Sequence, residues 1–421
     1  MSVYIPTPEQ LAETVQEAVQ AQPVLDIHTH LYGPEFGDLL LWGIDHLLTY
    51  HYLIAETLRV GEMTPEEFWE LGLSEQAERV WKTLFLDRAP ISEACRGVIT
   101  ALQRLGLDPS CRDLDAYRAF YRSLDVEAFV DRVFQEANVE AVVMTNDPFD
   151  ESERTVWLNG RYRDRRFLPA LRIDPLVNNY ADAVGKLSSW GYGVDPELSE
   201  PSAREVRRFL ADWIERMRPL YMAVSLPPNF AYPEDSLRGR VIRDGILPIA
   251  EEFQIPFALM IGVKRQVNPR LRLAGDGVGR ADLSALERLC AEHPNVRFLV
   301  TLLSRENQHE LVVLGRKFPN LMVFGCWWFM NNPSIIDEIT RERIEMLGWS
   351  FIPQHSDARI LDQLLYKWPH SRAVIAEVLV EKYTDLLRSG WPVTQEEIRR
   401  DVARLFRENF IAFVGKDRIG L

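Results

Sequence analysis

His28 and His30 stand one residue apart in the stretch "LDIHTH" (25–30), which follows a run of strand-forming residues, Val24, Leu25 and Ile27. In an extended strand residues i and i+2 point to the same face, so both imidazoles look the same way. Two imidazoles held side by side can ligate a metal ion, or can be ordinary strand residues, one buried and one exposed. A third ligand decides between these readings. Where it can come from depends on the elements that carry the chain back to the histidines.

Short apolar runs ending in polar or charged residues recur through the sequence. After "VLDIHTH" come "EAVVMTNDP" (140–148), "FLPALRIDP" (167–175), "YMAVSLPP" (221–228), "PFALMIGVKR" (256–265), "VRFLVTLLSR" (296–305), "LMVFGCWW" (321–328) and "SFIPQHSDAR" (350–359), making eight. Runs apolar at both alternating positions suit parallel strands covered on both faces. The segments between them read as helices. Ser202 with Glu205 reads as a capping box opening "AREVRRFLADWIERM", and Thr394 with Glu397 as another opening the last amphipathic helix. Leu283–Cys290 and Val312–Phe318 carry apolar positions three or four apart. Eight strand–helix units predict an α/β fold of (β/α)8 type, with an open doubly wound sheet as the alternative. No repeat or low-complexity segment interrupts this order.

One connection is far longer than the rest. A helical insertion is expected over 31–138, between the first and second strands, inside a single domain spanning 1–421; it contains "TPEEFWELGL", with a cap at Thr64 and Pro65 at the first helical position. It leaves the first strand at the end where barrel active sites are built, so it can close over a substrate. The strand ends themselves are polar: Asn146 and Asp147, Arg172 and Asp174, Ser225, Lys264 and Arg265, Ser304 and Arg305, Trp327 and Trp328, then His355, Asp357 and Arg359. Asp147 and Asp174, each before a proline, also fit turns. In a closed barrel the eighth strand lies beside the first, so Asp357 can meet His28 and His30 across one divalent ion, although a helix cap is its ordinary alternative. Two imidazoles and a carboxylate suit zinc or a similar divalent ion, with positions left for water or substrate oxygens.

Bulk composition narrows the partners. A net charge of −14 opposes binding to nucleic acid or anionic membrane, and a small molecule is expected instead. No apolar stretch approaches the ~20 residues of a membrane helix, and the N-terminal segment is polar and acidic, which predicts a cytoplasmic protein. Cys95, Cys111, Cys290 and Cys326 lack any C-x-x-C spacing, so free thiols are expected rather than a disulfide framework or a zinc ribbon.

The His28-x-His30 pair with Asp357 resembles the amidohydrolase superfamily, and further motifs resemble its uronate isomerase family: "HYLIAETLR" (51–59), "TNDP" (145–148), "ALRIDP" (170–175), "LSREN" (303–307), "WWF" (327–329), "SDAR" (356–359) and "KWPH" (367–370). The similarity spans nearly the whole chain. Ser225 and Met260 stand where the better-known branch has histidines, and Asn146 where an Asp is usual, so the chain is similar to the shorter, divergent branch with a mononuclear site. The resemblance implies interconversion of D-glucuronate with D-fructuronate, and of D-galacturonate with D-tagaturonate, by proton transfer between C2 and C1 through an enediol. It implies His28, His30 and Asp357 as metal ligands, and Asp357, Tyr52 and Arg359 as catalytic residues; His51, beside Tyr52 on the insertion, is a further catalytic candidate from the residues themselves. Arg172, Trp327, Tyr52 and Arg359 are the implied substrate contacts, and Trp328 beside Trp327 offers a flat apolar wall for the sugar. The expected partners are a hexuronate and further copies of the chain. Two rival functions remain open at this point: a mononuclear metal-dependent hydrolase or decarboxylase acting on a related carboxylate, and a sugar-acid binding protein.

Overall fold

Parallel strands hydrogen-bond round a closed ring in the computed structural model, which describes residues 4–419 except Pro6 and Glu62; the ends of the expected 1–421 domain lie outside the described residues. The first strand, Val24–Asp26, pairs with Val139–Val143, which pairs with Phe167–Leu168. Pro169, without an amide hydrogen for the ladder, interrupts the third strand, and it resumes as Leu171–Arg172 against Met222–Leu226. Phe257–Ile261, Phe298–Leu302 and Leu321–Val323 follow in order. The segment 350–359 takes the eighth position: Ile352 bridges Phe324, the Asp357 N–H donates to the His28 carbonyl (3.1 Å), and the His30 N–H donates to that of Ala358 (2.7 Å). These last bonds close the (β/α)8 barrel and exclude the open sheet.

Period-two alternation sorts each strand between two apolar clusters. Leu25, Ala141, Val143, Leu168, Ala223, Ala258, Met260 and Leu299 share one cluster, which also holds Phe410, Ile411 and Val414 of the helix Asn409–Val414. Their neighbours Val24, Val142, Phe167, Met222, Val224, Phe257, Leu259, Phe298 and Val300 belong to the other, with the surrounding helices. A strand buried on both faces is what a barrel wall requires.

Between the first and second strands run the helices Ile44–Leu48, His51–Val60, Pro65–Glu70, Leu73–Trp81, Glu93–Arg104, Leu114–Arg122 and Val126–Ala137. Thr64 caps the third of these, accepting from the Glu67 N–H while the Glu67 carboxylate accepts from the Thr64 N–H. Thr394 and Glu397 form the same box at Gln395–Ala403. The box expected at Ser202 is displaced: the helix is Glu200–Met217 and its cap is Ser199, because Ser202 is buried and its hydroxyl meets Tyr180 and the Asp195 N–H. Among the described residues no helix is long and apolar enough to cross a membrane.

Candidate active site

The first strand ends at Asp26, so His28 and His30 lie on the extended segment just past it rather than within it. They still converge. His28 Nε2 is 3.6 Å and His30 Nε2 3.4 Å from the same oxygen, Asp357 Oδ1, and the three ligand atoms lie within 4.8 Å of one another. The far side of each ring fixes its tautomer. His30 Nδ1 is 3.0 Å from Thr145 Oγ1, whose hydrogen goes to the Thr29 carbonyl; His28 Nδ1 is 3.4 Å from Tyr221 Oη, whose hydrogen goes to the Ile27 carbonyl. With both hydroxyl hydrogens committed, each oxygen accepts from an Nδ1–H, and both Nε2 atoms turn bare lone pairs toward Asp357. Burial keeps the rings neutral, pushing His28 down to about 3 and His30 to about 4.

Burial also penalises the Asp357 charge; a proton on His30 or His28, and the Arg359 guanidinium, act against it and draw the carboxyl below the usual carboxylate range, and with both imidazoles neutral Arg359 is the counter-charge that remains. Its Oδ1 is buried without a hydrogen-bond donor among the described residues. Two imidazole lone pairs and an ionised oxygen converge on one point, with Arg359 Nη2 as a long donor contact to His30 Nε2 (3.4 Å), and their mutual repulsion is relieved by a cation placed between them, so these residues fit a divalent ion. The hydroxyls behind the rings are the partners such a site needs.

Asp357 is presented by a tightly held loop. Its backbone is left-handed (φ 50°), a conformation a non-glycine residue keeps only where its surroundings impose it. The preceding Ser356 donates its N–H to Asp26 Oδ1 (3.0 Å), and its carbonyl accepts from Lys367 Nζ (2.7 Å) and Asn331 Nδ2 (3.0 Å). Beyond it, the Arg359 N–H donates to Gln363 Oε1. Burial raises Asp26 to about 6 and lowers Lys367 to about 8.

A cavity of about 190 Å³ opens onto the histidines, lined also by Arg172, Arg265, Arg359, Trp327 and Trp328. A larger space of about 590 Å³ shares His30, Arg172, Leu273 and Arg359 with it and is walled by Tyr50, His51 and Trp69 of the insertion. Arg172 is held by Asp174, with Nε at 3.0 Å and Nη2 at 3.3 Å from the two carboxylate oxygens, so one edge of its fork is already occupied. Arg359 Nη2 stands 3.4 Å from His30 Nε2. Trp327 and Trp328 are buried walls, and Trp328 Nε1 donates to His51 Nε2 (3.0 Å), which places the His51 proton on Nδ1. Burial first, then Arg359, keeps His51 well below its ordinary value.

Tyr52 is not brought to the histidine cavity. Its ring stacks on Phe329 and lines a separate cavity with Trp328 and Lys367; its hydroxyl is buried without a hydrogen-bond partner among the described residues. Several groups that shape the site escaped the sequence. Tyr221 was hidden in an apolar run, and Thr145 and Lys367 lay in quoted motifs without a role. Glu153 was unmarked: it is buried, accepts from Tyr32, from Asn146 Nδ2 and from the Asp147 N–H, and is raised by burial to about 7.

No protein-family model and no curated protein matches the chain. Among solved structures, a uronate isomerase from Bacillus halodurans C-125 is 61% identical, with a TM-score of 0.96, covering 98% of this chain and 97% of that one. A uronate isomerase from Thermotoga maritima (TM-score 0.76; 98% of each chain) and a glucuronate isomerase from Caulobacter crescentus (TM-score 0.79; 99% of this chain and 96% of that one) are each 16% identical and share the fold.

Proposed function

Since this chain belongs to the uronate isomerase family, we propose that it interconverts D-glucuronate with D-fructuronate, and D-galacturonate with D-tagaturonate. The observation that carries this reading is one small cavity that joins His28 and His30, whose Nε2 atoms face Asp357 Oδ1, to the guanidiniums of Arg172 and Arg359. Such a cavity offers a proton acceptor, a cation for developing oxyanion charge and a cation for a distant carboxylate.

The reaction starts from the open-chain aldehyde. Asp357, ionised at neutral pH, takes the C2 hydrogen as a proton; the C–H electrons form the C1=C2 bond of an enediolate, and the charge passes to O1. Arg359 stabilises that oxygen. Return of the proton to C1, with the O2–H proton passing to O1, leaves a ketone at C2 and a hydroxymethyl group at C1. Arg172 holds the carboxylate through the donors that Asp174 leaves free. Trp327 and Trp328 give the sugar a flat wall and exclude water. His51 and Tyr52 are proposed for ring opening and for proton movement at the hydroxyls, Tyr52 from a side chain that first turns toward the cavity. His28, His30 and Asp357 would hold zinc, which when bound supplies a Lewis acid for a substrate oxygen. A cytoplasmic location is proposed alongside, supported by four unpaired cysteines.

The test is to incubate metal-analysed protein with D-glucuronate in D2O and follow it by NMR. Ketose formation with exchange at the migrating hydrogen is the expected result. Hydrolysis or loss of carbon dioxide without ketose would replace this reading with the hydrolase or decarboxylase.

A further inference from the structure

Trp328 walls two spaces. Besides the histidine cavity it lines a separate one of about 270 Å³, to which neither His28 nor His30 nor any arginine contributes. The helices His51–Val60 and Glu93–Arg104 of the insertion supply Tyr52, Glu56 and Glu93 to it, and the long helix Leu364–Arg388 supplies Lys367 and His370. Lys367 is buried, and its three N–H donors have one acceptor among the described residues, the Ser356 carbonyl (2.7 Å). The Tyr52 hydroxyl, buried in the same cavity, has none.

The carboxylates that share this cavity do not answer the ammonium. Glu93 accepts from His370 Nδ1 (2.6 Å) and from Arg96 Nη2 (2.7 Å), and Glu56 accepts from Ser92 Oγ (2.7 Å). A buried ammonium without a counter-charge and a buried hydroxyl without a partner are both costly, and one acceptor group between them relieves both. That group is an anion, because Lys367, although lowered by burial to about 8, still carries its proton at neutral pH. The remaining wall is largely apolar, with Ala94, Phe329, Pro333 and Ile336 beside Trp328. A phosphate would bring oxygens on every side and no carbon for this wall. A carboxylate on a short apolar body presents two oxygens to the two donor groups and carbon to the rest.

We propose that this cavity is a second binding site, which takes a small monocarboxylate with an apolar body, its oxygens accepting from Lys367 Nζ and Tyr52 Oη. The binding does not rest on the uronate isomerase reading; one consequence does. An occupant bonded to Tyr52 holds that ring against Phe329, and so opposes the turn toward the histidine cavity that the proposed function asks of it. Butyrate is the probe, and butyramide its neutral counterpart. His370 lines this cavity and neither of the two spaces beside His30, so its ring resonance reports filling of this cavity alone. It is followed by NMR in histidine-labelled protein and identified among the eight histidines by its loss in His370→Gln. Butyrate should shift it saturably, and butyramide should bind roughly tenfold more weakly or worse. Lys367→Met should weaken butyrate by roughly tenfold or more, and Tyr52→Phe, which keeps the ring and loses the hydroxyl, by severalfold. If Lys367→Met does not fold, Tyr52→Phe and the comparison of butyrate with butyramide decide. A His370 resonance that butyrate does not move, or moves no more readily than butyramide does, overturns the proposal, as does equal butyrate affinity in wild-type protein and either folded variant. Failure of wild-type protein to isomerise glucuronate would instead count against the parent reading and leave this site standing.

Discussion

Asp357 Oδ1 is buried without a donor while two imidazole Nε2 atoms face it, and that single atom separates ligand from base. Asp357→Asn keeps an oxygen that can coordinate but loses the ability to take a proton near neutral pH, so metal content should persist while turnover and C2 hydrogen exchange in D2O disappear. Near-normal exchange in a metal-replete Asn variant would move the base elsewhere. The two histidines and the aspartate were legible because side-chain parity and barrel closure depend on residue order alone. Tyr221 and Thr145, which fix the imidazole tautomers, were not, because a hydroxyl in an apolar run looks like any other wall residue until its hydrogen is traced. Glu153 was hidden for the opposite reason: it stands in the polar segment 150–155, where a carboxylate reads as facing solvent although this one is buried, and it predicts a pH effect. Burial raises its pKa from about 4.5 to about 7 although three donors act against the rise. The folded state therefore binds more protons than the unfolded chain between those values, and stability falls as pH rises through that window, then levels. Glu153→Gln has no proton to lose, so its unfolding free energy from denaturant titration should decline less than that of the wild type between pH 4.5 and 7, by an amount on the order of 3 kcal/mol. Parallel declines in the two proteins would mean that Glu153 is ionised throughout.

At the scale of elements, two helices of the insertion, His51–Val60 and Pro65–Glu70, meet the rim loop of the pocket, 265–276, and the second ties to it through named side chains. In Pro65–Glu70, Trp69 Nε1 donates to the Arg270 carbonyl (2.9 Å), Glu66 pairs with Arg270 (2.6 Å), and the Arg272 guanidinium lies 4.6 Å from the Trp69 ring. That rim loop supplies Leu273 to both spaces and Arg272 to the outer one. Exposed ion pairs contribute little, so Trp69 is the main side-chain tie from this helix. Trp69→Phe removes the indole N–H and weakens the cation–π contact. It should speed proteolysis within 265–276 and raise the glucuronate KM severalfold, with kcat changed less; an unaltered cleavage rate would show the loop holds itself. Helix starts such as Thr64 were readable because a capping box is a local, two-residue bargain between side chain and backbone. Ser202 misled because its buried hydroxyl is claimed by Tyr180 and Asp195, contacts from outside the window a cap motif sees. The grip of Trp69 on Arg270, 201 positions away, could not be read from either segment.

In the molecule as a whole, the run of apolar segments gave away the barrel because parallel strands covered on both faces have no polar alternation to obscure them. Two parts were less visible. The last helix, Asn409–Val414, read as an amphipathic tail, yet it joins the strand cluster of Leu25, Ala141 and Ala258. The eighth run forms only a bridge at Ile352, since Pro353 lacks an amide hydrogen and Asp357 is left-handed. The seam between the first and eighth positions is therefore the least regular part of the ring, held near the site by the Asp357–His28 and His30–Ala358 backbone bonds. The proposed ion would draw its ligands from both sides of that seam, residues 28 and 30 on one and 357 on the other. An ion that binds the folded chain and not the unfolded one stabilises it by about 2.7 kcal/mol at a free concentration a hundredfold above Kd. Chelation should accordingly lower the wild-type Tm by a few degrees, in proportion to the logarithm of the zinc concentration restored. Asp357→Ala should show a lower Tm that neither chelator nor zinc moves, because the remaining imidazoles lie on one side of the seam and cannot staple it. A wild-type Tm indifferent to both additions would separate the donor set from any role in closing the barrel, leaving the backbone bonds alone to do so.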